Sequence, residues 1–269
     1  MRRSISYYIS SALLCVFPLQ GFAGSRGDEV GRAPSQVSTP DALPVVSVST
    51  DKLSSQKALP QLSSNYYLAK RYVEGIDVSR YQGEIDWSRV MEGNQISYVY
   101  LKATEGETLL DRTYKKNLAE ARRVGLRVGS YHFYRPNSNW KRQLRNLVKH
   151  VRVSEQQLVP IIDIEVRGRV SAERFIRDLK RFVVEVEKHY GCKPMLYTYQ
   201  NFYNKHLVGH FDSYPLMIAR DRTEAPALDD GAEFVMWQYT DSGFVDGVNG
   251  CVDRSCIMDG YRLHMLELE

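Results

Sequence analysis

An α/β fold, with a parallel sheet closed into a barrel and little helix in its final part, is what the sequence predicts. Strand-like and helix-like segments alternate from Val73 to Tyr199, the signature of repeated β-α units and hence of a parallel sheet. Beyond Tyr199 the strand-like segments follow one another with little room for helices. Once the N-terminal region is set aside, the chain of 269 residues leaves about two hundred for one sizeable core, a length that suits a closed barrel.

The N-terminal region is of a different kind. Arg2 and Arg3 precede an apolar run from Ile5 to Leu19, and Gly21-Phe22-Ala23 supplies the small residues of a cleavage site. This is the pattern of a secretory signal peptide over residues 1–23. The product is expected to be secreted or periplasmic, with no stable membrane insertion once the signal is removed. Cys15 offers a lipid anchor as the alternative, although the bulky Leu14 before it is a poor fit to a lipoprotein signal. Residues 24–69 are rich in Ser, Pro, Gln and Thr, with Pro34, Pro40, Pro44 and Pro60 breaking any helix, and read as a disordered linker. The barrel domain is expected over residues 70–269.

Within that domain the elements come in order. Val73 to Val78 reads as a first strand ending in Asp77, and Ile85 to Met91 as a short helix with Asp86 near its start. Ser97 to Lys102 is a second strand, full of β-branched and aromatic residues. Asp111 to Val124 is a helix stopped by Gly125. Leu126 to Tyr134 is a third strand, Asn139 to Val151 a basic amphipathic helix, and Val159 to Glu165 a fourth strand. The clearest helix follows: Ser171 caps it, Phe175, Leu179, Phe182, Val183, Val186 and Tyr190 form one stripe, and Gly191 ends it. Lys193 to Tyr199, Tyr214 to Ala219, Glu233 to Tyr239 and Gly250 to Val252 read as further strands.

Asp163-Ile164-Glu165 closes the fourth strand. Residues i and i+2 of a strand share a face, so the two carboxylates point the same way. Neighbouring carboxylates raise each other's proton affinity, which is what an acid catalyst and its anionic partner need in glycoside hydrolysis. Taken alone the pair fits a structural role better, one acid capping the next segment and the other pairing with Arg167 or Arg169. In a parallel barrel chemistry sits at the C-terminal strand ends. Asp77, Asp163, Glu165 and Asp253 all fall at expected strand ends.

Net charge is +4, and the excess is uneven. From Arg112 to Arg152 twelve Lys and Arg residues face only Glu120. Such a bias is usually a solvated helix face, and it would also favour an anionic polymer such as a cell wall. No motif points to nucleic acid. With Cys15 gone, export permits a disulfide among Cys192, Cys251 and Cys256; the last two could close a small loop around Asp253, and the sequence does not choose the pair. No metal site is expected at these cysteines.

At these residues the domain resembles the glycoside hydrolase family 25 lysozymes, the N-acetylmuramidases of the Chalaropsis type, from about Val73 to Cys256. Gly75-Ile76-Asp77-Val78-Ser79 with Gln82-Gly83 and Ile85-Asp86-Trp87 looks like the family's opening signature, and Tyr100-Leu101-Lys102-Ala103-Thr104-Glu105-Gly106 like its second. Gly129-Ser130-Tyr131-His132-Phe133 looks like the third, Asp163-Ile164-Glu165 matches the catalytic Asp-x-Glu, and Trp237-Gln238-Tyr239 with Gly247 and Val252-Asp253 looks like the last.

The resemblance implies an irregular, TIM-like barrel of eight strands. It implies hydrolysis of the β-1,4 bond between N-acetylmuramic acid and N-acetylglucosamine in peptidoglycan glycan strands, with no metal or organic cofactor; a monomer is expected. It carries Glu165 over as general acid, Asp163 as its partner, and Asp77 and Asp253 as the remaining acids of the site. Tyr131, Phe133, Tyr197 and Trp237 are then candidates to stack on sugar rings, and Lys102 to bind either a site acid or a muramic carboxylate. His132 reads as a hydrogen-bonded core histidine rather than an acid–base group. Met217 stands where the family often has Trp, and Ser255 near where an Asn often follows the last Asp. The alternatives are a hydrolase of another N-acetylhexosamine polymer such as chitin, and a glycan-binding protein without turnover.

Overall fold

The computed structural model describes residues 72–93 and 95–268. The expected signal peptide and linker lie outside the described residues. Nine strands form one sheet: β1 (Glu74–Val78), β2 (Tyr98–Glu105), β3 (Leu109–Leu110), β4 (Arg127–Phe133), β5 (Ile161–Asp163), β6 (Met195–Tyr199), β7 (Leu216–Ala219), β8 (Met236–Gly243) and β9 (Val252–Ile257). Pairing runs β1-β9-β8-β7-β6-β5-β4-β2-β3, and a further β1–β2 pairing closes the ring. Eight strands therefore make a barrel, with β3 a short antiparallel arm on β2. Apart from the β3 arm, the pairs from β1 through β8 are parallel, whereas β9 runs antiparallel to both β8 and β1.

Period-two alternation sorts each strand into an inner and an outer face. Tyr98 and Tyr100 of β2, Ile161 of β5, Met195 and Tyr197 of β6, Met217 of β7 and Met236 of β8 pack together inside the barrel. Their neighbours Val99, Leu101, Ile162, Leu196 and Ile218 point outward into the core shared with the helices. Two glycines make the inner layer possible. A Cβ on Gly75 would lie 2.1 Å from the Tyr98 ring, and one on Gly129 would lie 2.3 Å from the Tyr100 ring. Both tyrosine rings thus lie flat across a neighbouring strand that carries no side chain there.

The helices are α1 (Trp87–Glu92), α2 (Tyr114–Arg123), α3 (Trp140–His150), α4 (Ala172–Tyr190) and α5 (Gln200–His206). Asp86 accepts from the Arg89 N–H to cap α1, Asn139 from Lys141 and Arg142 to cap α3, and Ser171 from Arg174 to cap α4. Gly191 ends α4 with φ of 69°, the left-handed conformation that glycine adopts without strain. The α4 stripe is buried as expected from Phe175 to Tyr190. Directly after β6, α5 is a helix not expected from the sequence; past it the described residues form no further α-helix, and β7, β8 and β9 are joined by irregular chain.

Three expectations change. The fourth expected strand is shorter, since β5 stops at Asp163 and Glu165 lies in the segment after it. The second is longer, because β2 continues to Glu105 through an irregularity between Lys102 and Thr104. The last strand begins where it was expected to end, at Val252, which puts Asp253 near the start of β9. An antiparallel strand begins at the rim where its parallel neighbours finish, so Asp253 reaches the same rim by the opposite route. A disulfide between Cys251 and Cys256 is ruled out by the same strand: five residues of extended chain span about 17 Å, far beyond the reach of a disulfide.

Candidate active site

The C-terminal rim of the barrel holds a pocket of about 330 Å³ lined by Asp77, Tyr131, Ile161, Asp163, Glu165, Tyr197, Met217, Gln238 and Asp253. The four expected acids therefore meet in one place. Asp77 and Asp253 sit directly opposite each other in the β1–β9 ladder. Asp163 lies level with Tyr197 of β6 on one side and Phe133 of β4 on the other. Glu165 follows two residues later on the same face, with Ile164 between them turned into the outer core. Beyond Tyr197, Gln238 and Asp253 the space continues into a second hollow of about 360 Å³, flanked by Arg220, Asp221 and Asp241.

Burial dominates the electrostatics. Asp163 is 5% exposed, and one of its oxygens, Oδ1, is buried without a partner among the described residues. Loss of solvent pushes its pKa well above the ordinary range; the nearby Glu165 charge raises it further and the Lys102 ammonium opposes. Glu165 is raised to about 7, by burial first, with Lys102 and Arg135 holding it down. Asp77 is raised to about 8 by burial. Asp253 is raised well above its usual value by burial and by the Asp77 charge facing it. A cluster of this kind keeps protons near neutral pH, the condition for a carboxylic acid to act as a proton donor. Tyr131 and Tyr197 are held neutral by burial, so their hydroxyls can donate hydrogen bonds into the pocket.

The other candidates divide. Tyr131 and Tyr197 line the pocket. Trp237 does not: Gln238 takes the inner position on β8, so alternation turns Trp237 outward, where it packs beside Tyr239 and Cys256 and donates to the Arg220 carbonyl at 3.0 Å. Phe133 is 3% exposed and lies under two cations, with Lys102 Nζ 5.0 Å and the Arg135 guanidinium carbon 4.3 Å from its ring centre, so the face expected to stack on a sugar is covered. Lys102 binds an acid of the rim, Glu105, at 2.7 Å. Arg167 donates to the Val170 carbonyl, and no ion pair joins it or Arg169 to Asp163 or Glu165 among the described residues, so the arginine pairing of the structural account is not made there.

His132 is fully buried behind the wall, against Phe182 of α4. The Gln143 amide accepts from the Arg135 N–H at 2.8 Å and donates to the Arg135 carbonyl at 2.9 Å, which fixes its orientation. Gln143 Oε1 must then accept from His132 Nε2, at 3.3 Å, leaving Nδ1 to accept from the Thr104 hydroxyl at 2.8 Å. Burial lowers its pKa to about 4, so the ring is neutral and structural.

Sequence reasoning missed Gln238, Met217 and Ile161 as pocket walls, and Glu105 and Arg135 as rim residues. Gln238 had a signal, since a polar residue two places after Met236 shares its inward face. Glu105 had none, because the irregularity in β2 changes which residues face inward after Lys102.

A family model, "Glycosyl hydrolases family 25", matches residues 76–248. The YegX protein of Escherichia coli K12 is 37% identical over 185 residues, covering 67% of this chain and 68% of that protein. The autolytic lysozyme of Clostridium acetobutylicum is 32% identical over 188 residues, covering 70% and 56%. Among solved structures, a family 25 glycosyl hydrolase from Bacillus anthracis superposes with TM-score 0.66 at 31% identity, covering 71% of this chain and 91% of that one. A lysozyme from Streptomyces coelicolor gives 0.66 at 29% identity, covering 72% and 96%.

Proposed function

The chain belongs to glycosyl hydrolases family 25 and is a glycoside hydrolase, and from that premise we propose that it is an exported muramidase cutting the β-1,4 bond between N-acetylmuramic acid and N-acetylglucosamine in peptidoglycan. The observation that carries the reading is the pair Asp163 and Glu165, two residues apart in one buried pocket with both carboxyls pushed toward the protonated form.

Glu165 is the general acid. With a pKa of about 7 it holds a proton over much of the range below neutrality and gives it to the glycosidic oxygen as the bond breaks. As Glu165 gives up its proton, its own carboxylate comes to face the positive charge developing on the sugar. Asp163 takes the substrate's acetamido N–H on its unpartnered Oδ1, turning the acetamido oxygen toward the anomeric carbon. That oxygen attacks as the leaving group departs, and the resulting ring is opened by water whose proton returns to Glu165. The hydroxyls of Tyr131 and Tyr197 are positioned to orient the same group. Export rests on Arg2, Arg3, the Ile5–Leu19 run and Gly21-Phe22-Ala23, and N-terminal sequencing of the mature protein tests it.

Digestion of purified sacculi, with mass spectrometry of the products, tests the reaction. New reducing ends on muramic acid are expected, and Glu165→Gln should abolish them while binding to sacculi persists. Reducing ends on N-acetylglucosamine, or turnover of a chitin oligomer in preference to sacculi, would establish the alternative substrate instead.

A further inference from the structure

Four acids line the pocket, and the proposed substrate carries carboxylates of its own, on the lactyl arm of muramic acid where no peptide is attached or along the peptide. Such a group needs a cation at the rim. Lys102 cannot supply it: its side chain is 7% exposed and its ammonium is occupied by Glu105. Arg135 stands in a different position. It begins the loop after β4, two residues beyond Phe133, which pairs with Asp163. The Asn137 side chain of the same loop accepts from the Arg169 N–H at 2.9 Å, tying it to the segment that follows Glu165.

Resting on the muramidase reading, we propose that Arg135 is the docking point for a carboxylate of the substrate, fixing which way the muramic acid residue faces Glu165. The residue is held from three sides. Gln143, fully buried, clamps its backbone N–H and carbonyl together. The guanidinium carbon stands over the Phe133 ring, 4.3 Å from its centre, and Nε donates to Glu105 at 2.9 Å. Gly106 leaves room for the stem, since a Cβ there would stand 3.3 Å from Arg135 Cγ. One edge of the fork is thus anchored. The other remains open: the side chain is 43% exposed, and Nη1 makes no hydrogen bond among the described residues. Glu105, held below its usual pKa against its own burial by Lys102 and Arg135, supplies one negative charge between two cations, so the group keeps a net positive charge. A stacked, half-paired arginine is preorganised to bind a carboxylate with little further loss of freedom.

The test compares native sacculi, sacculi stripped of peptides by an amidase, and sacculi whose carboxylates have been converted to amides with carbodiimide and ammonia. On native material Arg135→Gln should raise KM about tenfold, as expected for loss of a charge-assisted contact, while Arg135→Lys keeps part of the affinity. The wild type should lose the same factor on amidated sacculi, where Arg135→Gln should lose nothing further. A penalty on stripped strands, where the amidase has freed the lactyl carboxyl, shows that Arg135 binds that group, and one seen only on peptide-bearing strands assigns the peptide; both support the proposal. A change in the pKa of Glu165 would move the pH profile on native and amidated material alike, so it is separable. An equal Arg135→Gln penalty on native and amidated sacculi overturns the proposal and leaves the muramidase reading intact. Absence of muropeptide release by the wild type sinks both.

Discussion

Asp77→Asn should stabilise the protein at alkaline pH while crippling it as an enzyme. In the folded chain the Asp77 carboxyl is 9% exposed, faces Asp253 across the β1–β9 ladder, and has its pKa raised from 3.8 to about 8. A group with a raised folded pKa binds its proton more tightly when folded. Its folding contribution is therefore fully present below 3.8 and is lost progressively as pH rises through about 8. The interval is roughly four units, so at ~1.4 kcal/mol per unit the ceiling on the loss is ~6 kcal/mol. Local hydration and rearrangement of Asp253 reduce this, and ~2 kcal/mol is the realistic order. Asn has nearly the same shape and no charge, so it removes the penalty. Urea unfolding of the two proteins between pH 4 and 9 checks this. Stability should be similar near pH 4, the variant should gain steadily up to about pH 8, and the difference should then level off. A gain that does not change with pH, or a variant less stable than the wild type at pH 8, would refute the reasoning.

The rate should follow Glu165: kcat/KM falls as pH rises through about 7, since the folded pKa lies there and the acid must hold its proton; an alkaline limb near 5 would exclude Glu165 as the donor. Gly129→Ala should lose about 1–3 kcal/mol or more, because the new methyl overlaps the Tyr100 ring in the barrel floor, and thermal melting reads it. Trp237→Phe should cost about 1 kcal/mol through the hydrogen bond to the Arg220 carbonyl, yet leave KM for glycan within about twofold, the expectation for a side chain outside the pocket; a tenfold rise in KM would return Trp237 to the substrate site.

How far the site was legible in the chain varies from residue to residue. Asp163 and Glu165 follow from period two, and their shared face survives even though β5 stops at Asp163. At Trp237 the pattern does not choose a face: Trp-Gln-Tyr alternates, but the inward side went to the glutamine. Two aromatic residues on the outer face find partners in Cys256 and in Glu74, whose carboxylate accepts from the Tyr239 hydroxyl at 2.8 Å. Phe133 is on the expected face, yet two cations settle on its ring. Neither cation could be assigned there from sequence, because Lys102 and Arg135 come together only through Glu105.

The sequence by itself determined most of the elements and their order, the caps of the longer helices, and the four acids. These depend on backbone preference and on spacing within one segment, which are local. Only the tertiary structure decided that β9 runs against its neighbours, that β1 meets β2 and closes the ring, and which alternate of each strand looks inward. Those choices depend on which surfaces can be removed from water together, a property of the whole set of strands. Closure sets Asp77 against Asp253, and burial in the closed barrel gives four ordinary carboxyls the raised proton affinity that acid catalysis needs.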